Sequence, residues 1–247
     1  DIEVVLTGNT YQAAFTESSP VSTFNSGNQI LLNASGSLQI DNRILTYMDN
    51  QWKAENEFSW SDLTGKTNVT AVYPVYPDLD YVQENLYKNN SLEDILYVKD
   101  EFPAGNSIHL QFKHLFSLLT LHLEGNLQTY FQKIEVTCPA VSSIIPKSAE
   151  IVLADNGTHT TTIAQVSPSG NYSFIVPPVG NMVIAINMVT NGKKYTTQLE
   201  TKSFTGNKEY TYHLKISEKT PGIMTAEDWI AFSQLINSNT FTQYKGK

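Results

Sequence analysis

Three histidines stand close together in this chain, His109, His114 and His122. Imidazoles at short spacing could hold a metal ion or relay protons. On an extended chain, odd and even positions face opposite sides, which sets His109 apart from the other two. A change of phase between them, described below, leaves their relative facing open. Neither an HExxH run nor a helical histidine pair with carboxylate support accompanies them, so they read as structural or surface residues.

Other reactive types are equally sparse in pattern. Asp78, Asp80, Glu84, Glu93, Asp94 and Asp100 make the stretch from Pro77 to Asp100 acidic. The stretch lacks the D-x-D-x-D-G spacing of a tight calcium loop and reads as a solvated connection. Ser91-Leu92-Glu93-Asp94 has the spacing of a capping box and predicts one helical turn there. The lone cysteine, Cys138, rules out an intrachain disulfide and a cysteine-rich zinc site, and KIEVTCPAV makes it a buried apolar residue at a strand end. No nucleophile elbow or phosphate-binding glycine loop occurs. A carboxylate pair for glycoside hydrolysis would be a spatial feature and stays open. The sequence calls for no cofactor and assigns no catalytic residue. Trp52, Phe58, Trp60, Tyr73, Tyr76, Tyr81 and Tyr87 could stack on a sugar, but aromatics at strand spacing more often pack a core.

Composition narrows the partners. The 247 residues carry a net charge of -8 with 16% charged residues, and the only arginine is Arg43. A nucleic-acid partner would need clustered Lys or Arg, so none is expected. No apolar run approaches the roughly 20 residues needed to span a bilayer as a helix. The chain opens at Asp1 without methionine, which leads us to expect a targeting segment already removed.

The elements that must position these residues are short strands between turn signals, the pattern of an all-β sandwich. Asp1 to Thr7 alternates Ile2, Val4 and Leu6; Gln29 to Asn33, Leu38 to Met48 and Asn68 to Tyr76 follow. Later strands are expected over Lys133 to Thr137, Glu150 to Ala154, His159 to Val166, Tyr172 to Val176, Met182 to Thr190, Lys194 to Glu200 and Glu209 to Ile216. Asn156-Gly157 and Asn191-Gly192 are hairpin signals, and the last strand alternates Tyr210, Tyr212, Leu214 and Ile216. Beyond Pro221-Gly222, Thr225 to Asp228 offers an N-cap. Trp229, Phe232, Leu235 and Ile236 then recur at helical spacing, so an amphipathic helical tail is expected.

Between Ile108 and Leu123 the alternation changes phase. Ile108, Leu110 and Phe112 share one face, and Leu119, Leu121 and Leu123 share the other. A single regular strand cannot do this and keep one face buried. A β-bulge, or a handover of the chain from one sheet to another, would resolve the change of phase.

Several motifs now fall into an order. Phe24-Asn25-Ser26-Gly27-Asn28-Gln29-Ile30, Trp52 ahead of Phe58-Ser59-Trp60, Val72-Tyr73-Pro74-Val75-Tyr76-Pro77, Glu93-Asp94-Ile95-Leu96-Tyr97 and Leu110 to Leu123 run over roughly residues 20 to 125. In kind and order they resemble the fimbrillin-like proteins, the type V pilins of Bacteroidetes. The resemblance implies a non-enzymatic fimbrial subunit at the cell surface, outer membrane or fimbrium, exported as a lipoprotein and held by a lipid anchor this chain does not contain. It implies two transthyretin-like Greek-key β-sandwich domains, here 1–105 and 106–217, leaving 218–247 as the helical tail or the start of a further segment. Beside the family pattern, the phase change implies two strands, 108–113 and 117–124, ending one sandwich and starting the next, with His114 packed at the transition. The resemblance also implies assembly with other fimbrial subunits by strand exchange after the first strand is removed. Ile2, Val4 and Leu6 then mark the removable strand, and Tyr210, Tyr212, Leu214 and Ile216 the C-terminal partner strand. Family maturation cuts after arginine, but Arg43 follows several predicted strands, and the tail is helical where a stalk subunit would end in a strand. An accessory, tip or anchor type is implied, mediating adhesion to a host or bacterial surface glycan or protein. The rival reading is a surface glycan-binding lipoprotein module; a hydrolase is a distant third.

Overall fold

The computed structural model describes residues 2–14, 24–56, 65–103, 108–125, 131–167, 169–179, 183–190, 193–200 and 204–218. The predicted helix over 225–236 lies outside them, as do Phe58 and Trp60. What is described is almost entirely strand, in three large sheets and one hairpin.

The first large sheet has six strands: β2 (Gln29–Gly36), β3 (Ile40–Met48), β4 (Gln51–Ala54), β5 (Thr67–Tyr73), β8 (Leu96–Phe102) and β9 (Lys113–His114). Their order is β4-β3-β2-β5-β8-β9, with antiparallel pairing throughout. Strand β2 is apolar at successive positions because both its faces are covered. Ile30, Leu32 and Ala34 join Leu45, Val69, Ala71 and Val98 on one side, while Leu31 joins Val72 on the other. Strand β8 was expected to be part of an acidic loop. Its buried Leu96 and Val98 hold it in the sheet, and its acidic Asp100 and Glu101 are simply exposed. The expected helical turn at Ser91 is instead part of the hairpin β6 (Tyr87–Lys88) and β7 (Ser91–Leu92), and the helical turn falls earlier, at α1 (Gln83–Leu86).

The second half supplies two sheets that share one core. One is ordered β1 (Ile2–Ala14), β16 (Lys208–Glu218), β10 (Ser117–Gly125), β13 (Gly170–Val176). The other is ordered β12 (Glu150–Val166), β11 (Phe131–Ile145), β14 (Val183–Thr190), β15 (Lys193–Glu200). Leu119, Leu121, Leu123, Phe174, Tyr210, Tyr212, Leu214 and Ile216 from the first meet Phe131, Ile134, Val136, Ile186 and Met188 from the second. Each such burial stabilises by about 1.5–3 kcal/mol before chain entropy is counted.

The hairpin read at Asn191-Gly192 is present, with Thr190 paired to Lys193. That read at Asn156-Gly157 is not a hairpin. Glu150–Val166 is one long strand, and the register slips between Pro139–Thr158 and Val141–Leu153. A left-handed Asn156 (φ 53°) and a Gly157 whose added Cβ would sit 2.7 Å from Ala154 Cβ belong to this bulge. Cys138 is buried inside β11 rather than at a strand end, and burial pushes its thiol up to about 12.

The phase change marks a handover between sheets. His114 closes the six-stranded sheet opposite Leu96, and Ser117 opens β10 opposite Val176. Of the expected strand 108–113 only Lys113 enters a ladder, beside His114 in the two-residue β9. Ile108, Leu110 and Phe112 alternate because they pack onto the face of the sheet, not because they pair within it.

The handover is clasped by residues 204–207. The Asn207 amide donates to the Phe116 carbonyl (2.9 Å), the His114 amide to Asn207 Oδ1 (3.1 Å), and Ser117 Oγ to the Thr205 carbonyl (2.9 Å). A side chain at Gly206 would place Cβ 2.5 Å from the Leu115 carbonyl oxygen, so only glycine fits. Beneath it, Phe116 and Leu115 join Tyr76, Tyr81, Leu86, Leu92 and Ile95 with Val141 and Ile144 of β11 in a core shared by both halves.

Candidate functional site

Strand β1 occupies the end of its sheet. It runs antiparallel to β16 along nearly its whole length, from Ile2 opposite Glu218 to Ala14 opposite Lys208. Val4 stands opposite Ile216 and Leu6 opposite Leu214, with breaks in register between Leu6 and Gly8 and between Thr10 and Ala13. The sequence thus brings its two marked sets together: the first strand and the strand of Tyr210, Tyr212, Leu214 and Ile216 are neighbours. Although β1 begins the chain, its ladder partner among the described residues belongs to the second half.

Strand β16 is fixed independently of β1. It pairs in parallel with β10, Tyr210 beside Leu119 and Leu214 beside Leu123, and its four alternating apolar residues are no more than 1% exposed. Tyr210 stacks on Phe204 with ring centroids 4.2 Å apart, and its hydroxyl accepts the Thr205 amide at 2.8 Å. Without β1, this strand would present an unpaired backbone edge along a seated apolar strand. Strand β15, at the rim of the opposite sheet, also approaches β1.

A model of the fimbrillin-like family matches residues 13–229. The chain belongs to that family. No curated protein matches it. Among solved structures, it is similar to a candidate cell adhesion protein from Bacteroides ovatus, with 14% identity, a TM-score of 0.55, and coverage of 78% of this chain and 83% of the other. It is also similar to one from Bacteroides uniformis, with 12% identity, a TM-score of 0.55, and coverage of 85% and 94%. At such identities, the likeness is one of fold.

The remaining residues singled out in this fimbrillin-like sequence scatter. His109 is exposed on the segment before the handover. His114 is buried, its Nδ1 2.9–3.0 Å from both carboxylate oxygens of the buried Asp94. That pair ties Asp94, next to β8, to the handover and explains one acid of the supposed solvated loop. Glu93 is likewise engaged: it accepts the Tyr76 hydroxyl and pairs with Lys88, and burial followed by that hydrogen bond raises the Tyr76 phenol far above its usual range. Trp52 is half-buried and packs against Phe24, Tyr47 and Phe112 in edge-on or tilted contacts at centroid distances of 5.0 to 6.3 Å.

Sequence reading missed a cleft of about 840 Å³ over the six-stranded sheet, roofed by Lys147 and Ser148 from the β11–β12 turn. Its floor is two sheet rungs, Asn33-Thr70-Lys99 and Ser35-Asn68-Glu101. Asn33 Oδ1 accepts the Asn42 amide at 2.8 Å, while its buried Nδ2 has no partner among the described residues. Polar residues on alternate positions of three strands were the available signal, but they can be aligned only once register is known.

Proposed function

We propose that this chain is a non-enzymatic structural subunit of a cell-surface fimbrium, joined to its neighbours by strand exchange in which a neighbour's strand takes the place of β1. The observation that carries this reading is the place of β1: last in its sheet, and laddered to a β16 that has its own seat. A neighbour's strand laid along β16 would restore the backbone hydrogen bonds. Membership of the fimbrillin-like family supports the reading.

An accessory, tip or anchor position fits better than a stalk position. Arg43 lies inside β3, opposite Leu32 of β2, so a cut after it would sever the six-stranded sheet rather than free β1 alone. The division into transthyretin-like domains near residue 105, export as a lipoprotein and residence at the outer membrane belong to the same proposal. Deleting residues 1–14 tests the exchange: the folded product should form multimers by light scattering, and a folded product that stays monomeric overturns it.

A second reading adds a ligand. The cleft over Asn33, Thr70 and Lys99 offers amides, a hydroxyl and an ammonium to a glycan. Glycan-array binding lost in Asn33→Ala but kept in Trp52→Ala would support contact at the cleft; the reverse pattern would restore the aromatic platform.

A further inference from the structure

We propose that His122, Glu124 and His213 form a binding site for one divalent transition-metal ion, with zinc the best match to the donor set. The three lie on the outer face of the β1-containing sheet, opposite the buried Leu121, Leu123, Tyr212 and Leu214. His122 and Glu124 share a face of β10 at alternate positions, and parallel pairing sets His213 of β16 directly beside His122.

The geometry is that of a ligand set. His122 Nε2 and His213 Nδ1 each lie 3.4 Å from the same Glu124 oxygen, Oε1, and all three donor atoms lie within 4.8 Å of one another. Charge-assisted N–H···O bonds close to about 2.7–2.9 Å, so 3.4 Å is long for two ion pairs. Donors about 2.0–2.1 Å from a tetrahedral ion are separated by roughly 3.4 Å along each edge. Two of the three edges already have that length, and rotation of exposed imidazoles can adjust the third.

A neighbour also sets the tautomer. His122 Nδ1 donates to Asn171 Oδ1 across the adjoining β13, which leaves Nε2 as the ring's lone-pair nitrogen, on the side of Glu124. Metal-bound histidines are usually oriented by a second-shell acceptor of this kind. The imidazoles are about a third exposed, so water can reach the ion.

One rung of the sheet runs Gly8, His213, His122, Asn171 across all four strands. An ion there would staple β16 to β10 beside the edge that β1 covers. This consequence rests on the exchange reading; the site itself does not.

The test is calorimetric titration of untagged, chelator-treated full chain with zinc chloride. Saturation at one ion per chain with low-micromolar or tighter affinity is expected, with a melting temperature raised by several degrees. His122→Ala, His213→Ala and Glu124→Gln should each abolish the transition, and Asn171→Ala should weaken it by about 10–100-fold. Circular dichroism confirms that each variant is folded. Absence of a one-to-one transition, or a transition unchanged in folded His213→Ala, overturns the site, and neither result bears on whether deletion of β1 causes multimers.

Discussion

The handover at His114 to Ser117 and the pairing of β1 with β16 are both built from alternating apolar residues, yet they are secured differently. At the handover, backbone pairing is brief and tertiary contacts hold the chain. Phe116 is fully buried, His114 meets Asp94 out of water, and residues 204–207 add three hydrogen bonds. At the edge the ladder is long, but it joins β1 to one strand at the end of a sheet. A segment locked by buried side chains cannot leave without unfolding its surroundings, whereas an edge strand can be replaced by another strand that satisfies the same backbone groups.

Substitutions at the handover should break this comparison most visibly. Phe116→Ala should lose about 3–5 kcal/mol in urea unfolding, because both halves contribute to the core it fills. Asp94→Ala should lose about 1–3 kcal/mol, since it removes the buried carboxylate that meets the His114 ring. Gly206→Ala should cost about 1–3 kcal/mol through the forced shift at Leu115, read by the same denaturation. If all three fall within experimental scatter of wild type, the handover is not the locked region.

Much of this contrast was legible in the sequence, for a physical reason. The period-two alternation of Leu119 to Leu123 and of Tyr210 to Ile216 reports one buried face of a strand, and both strands are present. The phase change reports that the buried face switches, and it does. Alternation cannot say whether a residue pairs within a sheet or lies upon it, which is why Ile108 to Phe112 looked like a strand. Asn156-Gly157 supplied backbone freedom that a bulge uses as readily as a turn. Strand β8 was masked by Asp100 and Glu101, whose exposure needs no loop. The meeting of His122 with His213 depends on parallel pairing of strands far apart in the chain, and no local spacing encodes it.

The central claim is that β1 is a separable strand whose place another strand can take. Its most direct measurement is binding of a fluorescent peptide of residues 1–14 to the chain that lacks them, followed by anisotropy alongside light scattering. The account predicts saturable one-to-one binding that competes with multimer formation. A folded, truncated chain that neither binds the peptide nor self-associates would contradict it.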